Sequence, residues 1–249
     1  MKKLVAGNWK MNLLPSQVSG YAKSFLATVD KLDGVDLLLC PSDTALPAAV
    51  EAFRNSGVQV GAQNMHSTRS GAFTGETSGE MLADIGVTHV LLGHSERRHV
   101  FAEDDELIHT KLVLAHELGL KPILCVGEKQ GQRESGSTEQ VLREQFEGSL
   151  GKLSNELLAA TVVAYEPVWA IGTGLTATPE IAQQAHRFLR SLLGEKLGEA
   201  ASTVPILYGG SVKPANAAEL MSQPDIDGVL VGGASLKPDS FAAIAKAAL

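Results

Sequence analysis

The chain has 249 residues, 44% of them hydrophobic, and a formal net charge of −7 at pH 7. A chain of this length can bury roughly 70–75% of its unfolded surface, and its acidic balance excludes a general binder of nucleic acid or of anionic membrane surfaces. An anion can still be held, but only locally, by backbone N–H groups or one placed cation.

Short apolar runs recur along the chain: LVAGN (4–8), VDLLLC (35–40), VQVGA (58–62), THVLLG (88–93), KPILCVG (121–127), TVVAY (161–165), VPILYGG (204–210) and DGVLVGG (227–233). Their near-continuous hydrophobicity suits strands buried on both faces, hence a parallel sheet. Amphipathic segments lie between them. Residues 16–32 are expected to start at Ser16 as N-cap, and residues 104–118 open with acids and stop at Gly119. Residues 178–197 begin Thr178-Pro179-Glu180, and the last segment begins Lys237-Pro238-Asp239. A cap, a proline at the first helical position and an early acid are helix-start chemistry. No Pro/Ser-rich linker or low-complexity stretch divides the chain, so one domain over residues 1–249 is expected. An open doubly wound sheet is the alternative, but eight βα units in about 250 residues favour a closed α/β architecture, the (β/α)8 barrel.

The opening MKKLVAGNWK has too short an apolar stretch for a signal peptide, and no run approaches the ~20 apolar residues of a membrane span. Cys40 and Cys125 each lie in an apolar run and read as buried reduced thiols, which fits a cytoplasmic location. On strands 2 and 5 they would be roughly opposed around a barrel, so a disulfide is geometrically poor.

Such barrels carry their chemistry at the C-terminal ends of the strands and in the loops that follow. After strand 1, GNWKMN places Asn8 and Lys10 at the mouth. A snorkelling surface lysine is the common alternative, but Lys10 is hemmed in by Trp9 and Met11. After strand 4, GHSERR puts His94 at the start of a short helix, where the dipole disfavours an imidazolium and favours a neutral ring. Glu96, Arg97 and Arg98 read first as an ordinary ion-pair network. His89, His99, His109, His116 and His186 fall within strands or helices and read as structural. After strand 6 comes a lone carboxylate, Glu166, its backbone restricted by Pro167. It suits a general base, or a structural partner of an arginine. YGGS (208–211) and GGAS (232–235) follow strands 7 and 8, where barrels recurrently bind phosphate. The expected donors are the N–H groups of Ser211, Gly232 and Gly233, joined by Gly172. No HxH, CxxC or clustered-carboxylate pattern lies at a strand end, so no metal and no cofactor are expected.

One base, one neutral imidazole, one ammonium and a phosphate cradle suit proton transfer beside a carbonyl in a small phosphorylated substrate. The chain resembles the triosephosphate isomerase family over essentially its full length. The matching motifs are GNWKMN (7–12), GAQN (61–64), GAFTGE (71–76), LLGHSERR (91–98), YEPVWAIGTG (165–174), YGGSV (208–212) and LVGGASL (230–236). The resemblance implies cofactor-free interconversion of dihydroxyacetone phosphate and D-glyceraldehyde 3-phosphate. It implies Glu166 as base, His94 as neutral acid and electrophile, Lys10 as electrostatic stabiliser, Asn8 as a substrate contact and Glu96 in support. Many members carry a lysine in the second lid hinge, where this chain has Leu175. Two other readings of the same residues are a Schiff-base aldolase with Lys10 as nucleophile and a non-catalytic phosphometabolite-binding barrel.

Two loops complete the expectations. GAQNMHSTRSGAFTGE is long for a βα connection, usually 2–6 residues, and its centre is apolar. It is expected to build a homodimer, with Thr74 reaching Asn8 or Lys10 of another copy. The oily loop after Glu166 is expected to be a lid. Its hinges would be Pro167-Val168-Trp169 and Leu175-Thr176-Ala177, and its tip Ala170-Ile171-Gly172-Thr173-Gly174. Ile171 would close over Glu166 towards Leu230, and the Gly172 N–H would bind phosphate.

Overall fold

All eight apolar runs become strands in the computed structural model, which describes residues 1–29, 32–171 and 176–249. The strands are β1 (Lys3–Asn8), β2 (Val35–Cys40), β3 (Val58–Ala62), β4 (His89–Leu92), β5 (Lys121–Val126), β6 (Val162–Tyr165), β7 (Ile206–Tyr208) and β8 (Gly228–Val231). Each pairs in parallel with the next, and β1 closes on β8 with Leu4 opposite Gly228 and Gly7 opposite Val231. The result is a (β/α)8 barrel.

The α-helices follow in chain order: α1 (Val18–Thr28), α2 (Leu46–Ala52), α3 (Gly79–Asp84), α4 (Ser95–His99), α5 (Asp105–Glu117), α6 (Gln130–Glu134), α7 (Thr138–Leu150), α8 (Asn155–Ala159), α9 (Pro179–Leu197), α10 (Ala217–Met221) and α11 (Pro238–Lys246). Two helix starts are capped where the sequence expects them. Asp104 accepts from the Leu107 N–H ahead of α5, and Thr178 accepts from the Ile181 N–H ahead of α9. Gly119, at φ +72°, takes the chain out of α5 in the left-handed region. Ser16 does not cap. It lies inside a single 3₁₀ turn, Pro15–Gln17, whose first free N–H, that of Leu14, is met by the Gln17 side chain. Pro15 pre-sets that tight turn, and α1 begins only at Val18.

The strands are mainly apolar because both faces are largely buried, the exposed exceptions being Asp36 in β2, Gln59 in β3 and Lys121 in β5. Leu38, Cys40, Ile123, Cys125, Ala164 and Leu230 fill the barrel interior. Leu37, Leu39, Leu124, Val126, Tyr165 and Val231 face the helices. Cys40 and Cys125 are free thiols in the inner layer, and burial pushes both up, Cys40 to about 12. No helix among the described residues is long and apolar enough to cross a membrane.

Candidate active site

The C-terminal ends of β1, β4, β6, β7 and β8 converge on a cavity of about 360 Å³. Asn8, Lys10, His94, Glu166, Ser211, Gly232 and Gly233 all line it, and so do Ile171 and Leu230. The structure thus gathers residues that stand up to 225 positions apart in sequence, from Asn8 to Gly233. Gly172, Thr173, Gly174 and Leu175 lie outside the described residues. Glu96 borders a neighbouring cavity, and Thr74 stands exposed in the loop after β3.

Lys10 reaches this place through an unusual backbone. Its φ is +52°, a left-handed conformation that costs a non-glycine residue roughly 1–2 kcal/mol. The surroundings hold it there. The Lys10 N–H donates to Asn8 Oδ1 at 2.9 Å, and Gln63 Nε2 donates to the Lys10 carbonyl at 2.8 Å and to the Cys40 carbonyl at 2.9 Å. The ammonium then meets Glu96 Oε1 at 2.6 Å. The expected ion-pair network therefore exists, but Glu96 takes Lys10 in it, whereas Arg97 turns to Glu103 and Arg98 to Asp105.

His94 is the N-cap of α4, and its Nδ1 accepts the Glu96 N–H at 3.2 Å. An accepting nitrogen carries no proton, so the ring's proton sits on Nε2. Nε2 faces Glu166 Oε1 at 2.9 Å, and Glu166 Oε2 accepts the Ser95 N–H at 2.9 Å. Burial opposes ionisation of Glu166. The His94 ring, by charge and hydrogen bond, the Ser95 N–H and Lys10 together outweigh it and hold the carboxyl below the usual range. Burial pushes the His94 ring down, and Glu166, by charge and hydrogen bond, lifts it net upward. The helix terminus thus fixes the tautomer, while the facing carboxylate governs the ring's proton affinity. That lift lasts only while Glu166 faces His94.

The two glycine pairs differ in purpose. A Cβ on Gly209 would stand 2.9 Å from Glu166 Cγ, and one on Gly210 would stand 2.2 Å from the Tyr208 hydroxyl. These glycines make room for protein groups. At Gly233 a Cβ would meet nothing within 4 Å, and at Gly232 only Lys10 Cε at 3.7 Å. This second pair leaves open space ahead of a 3₁₀ turn, Gly233–Leu236, where N–H groups can face an anion.

Residues 3–248 match the family model described as triosephosphate isomerase. The chain is 53% identical over 244 residues to the triosephosphate isomerase of Solibacter usitatus, covering 98% of each chain. It is 50% identical over 249 residues to that of Carboxydothermus hydrogenoformans, covering 100% of this chain and 99% of the relative. With that of Aquifex aeolicus it shares 47% identity over 244 residues, 98% of each.

The chain belongs to the triosephosphate isomerase family. The seven motifs that carry the resemblance all fall inside the matched span.

Sequence reasoning missed several groups that this family member brings to its site. Glu128 is fully buried, accepts from the Tyr165 hydroxyl at 3.0 and 3.1 Å, and accepts from Trp169 Nε1 at 2.8 Å. It therefore ties the start of the oily loop, including the 3₁₀ turn Val168–Ala170, to the end of β5. The signal was present, since Glu128 follows an apolar run just as Glu166 does. The Ser95 N–H and the Gln63 amide left none. One is a backbone group, and the other acts across 53 residues.

Proposed function

We propose that this chain interconverts dihydroxyacetone phosphate and D-glyceraldehyde 3-phosphate through an enediolate. The observation that carries the reading is the Glu166–His94 pair at 2.9 Å on the wall of a cavity that also holds the Lys10 ammonium and the open glycine turn after β8. Glu166 removes the carbon-bound proton and returns it one carbon along. The His94 Nε2–H and Lys10 stabilise the oxygens on which charge develops, and Asn8 helps to hold the substrate. Glu96 keeps the Lys10 chain extended across the mouth. The phosphate takes the backbone N–H groups of Ser211, Gly232 and Gly233, with Gly172 added by the lid.

Both Glu166 oxygens are occupied in this structure, so the carboxylate must leave the Ser95 N–H to reach substrate. Losing that bond and entering a closed, drier cavity both strengthen it as a base. The Schiff-base alternative fares worse. The Lys10 ammonium is bonded to a carboxylate at 2.6 Å, whereas an amine nucleophile must be free and desolvated.

The chain acts as one domain over residues 1–249, in the cytoplasm, and as a homodimer. Free buried cysteines support the compartment. A cavity of about 350 Å³ beside the active site, bordered by Met11, Gln63, Glu96 and Phe101, supports the dimer. Met11 is 94% exposed and Phe101 61%, an apolar rim fit to receive the loop that carries Thr74. Nucleic acid and membrane are not partners in this reading.

A coupled isomerase assay tests the activity. Glu166→Gln keeps size and removes basicity. Turnover should fall roughly a hundred- to ten-thousandfold, while inhibition by inorganic phosphate stays within about twofold of the parent enzyme. Near-normal turnover in the variant refutes the assignment of the base.

A further inference from the structure

Backbone groups at the end of β5 raise an accounting question. Even-numbered residues there serve β6 and its extension: Val126 O accepts the Glu166 N–H at 2.7 Å, and Glu128 O accepts the Val168 N–H at 3.1 Å. Odd-numbered residues face β4, as the Lys121 N–H shows by donating to Thr88 O at 2.9 Å. But β4 ends at Leu92, and the chain turns away at Gly93, where φ is +69°. Gly127 is buried and odd-numbered, and β4 offers it no backbone partner. The α7 side chain of Gln145 replaces that partner at both points. Its Oε1 accepts the Gly127 N–H at 2.8 Å, and its Nε2 donates to the Gly127 carbonyl at 3.2 Å.

Gly127 is also the floor under Glu166. A Cβ at Gly127 would stand 1.7 Å from the Glu166 carbonyl oxygen and 2.6 Å from its carbonyl carbon. Any drift of Gly127 towards β6 therefore pushes the peptide that carries the Glu166 side chain. We propose that Gln145 is a positioning residue for Glu166: its carboxamide stands in for the absent β4 neighbour, fixes Gly127, and through Gly127 fixes the Glu166 backbone at catalytic height. The inference rests on Glu166 being the base.

The decisive variant is Gln145→Leu, which keeps bulk and leaves both Gly127 groups unpaired. In the folded variant kcat should fall about ten- to a hundredfold, the scale of a misplacement near 1 Å. KM and inhibition by inorganic phosphate should stay within about twofold, because the phosphate donors lie on other strands. The loss should be smaller in a Glu166→Asp background, where the base is already misplaced. Parent-level kcat, or a loss confined to KM, overturns the proposal. If Gln145→Leu does not fold, Gln145→Glu decides. Ionised, the new carboxylate accepts the Gly127 N–H but repels the carbonyl; protonated, it can serve both. The kcat deficit should then shrink as pH falls from about 8 to about 6, since burial raises a carboxyl's pKa. A profile parallel to the parent's overturns the proposal. A Glu166→Gln variant of near-normal turnover would instead remove the base assignment itself, so the two failures are distinguishable.

Discussion

Individual side chains here are set by what surrounds them, and His186 is the sharpest case. It lies fully buried in α9, its Nδ1 is 3.0 Å from the Asp225 carbonyl, and its Nε2 has no hydrogen-bond partner among the described residues. Burial lowers it to about 3, against the pull of the Asp225 carbonyl. The folded chain therefore keeps the ring neutral where the unfolded chain protonates it. Stability from this residue is complete above pH 6.5 and is lost as pH falls towards 3, reaching a loss of about 2 kcal/mol by pH 5. Denaturant unfolding at pH 7 and pH 5 should show His186→Gln losing less stability than the parent by about that amount. An unchanged difference between the two pH values would contradict this. The sequence made such residues legible only in part. His186 reads as structural because it falls in a helical pattern, and Glu166 reads as functional because it ends an apolar run. Gln145 carries no such mark, because its role depends on a glycine 18 positions away. Ser16 misled because a serine before a helical pattern resembles a cap, while Pro15 had already set a 3₁₀ turn.

Among the elements, the strands and four helical segments were legible because burial and helix-start chemistry are written locally, whereas α7, as long as α5, went unread, its N-cap Ser137 making no side-chain cap bond. Strand ends were less legible. The run 204–210 yields only Ile206–Tyr208 as β7, and the glycines beyond it stand where a side chain would collide with Glu166 and Tyr208. The segment after Glu166 is the element with most to do. Its described start is pinned by the Trp169–Glu128 bond, and Ile171 and Leu230 both line the cavity. An enediolate left in water expels its neighbouring phosphate and decays to methylglyoxal, so a water-excluding cover matters as much as the base. Removing residues 170–173 should leave the barrel folded, slow isomerisation and raise the methylglyoxal fraction. Product analysis showing unchanged partitioning would mean the segment is not a lid.

At the scale of the whole molecule, the barrel is complete but its mouth is bordered by apolar surface, with Met11 and Phe101 exposed on the rim of the neighbouring cavity. Sedimentation at micromolar concentration should find a dimer, and Thr74→Arg should shift it towards monomer with loss of turnover. A fully active monomer would remove the dimer reading. The inner layer offers a different opportunity. Cys40 and Cys125 sit inside the strand cylinder with no exposed surface, and both thiols are held protonated by burial. Thiolate, the reactive form, is therefore scarce until strands part. The rate at which a thiol reagent labels these two sites then clocks how often the cylinder breathes open. At high reagent concentration labelling should plateau at the opening rate, turning two chemically silent residues into a stopwatch for the core.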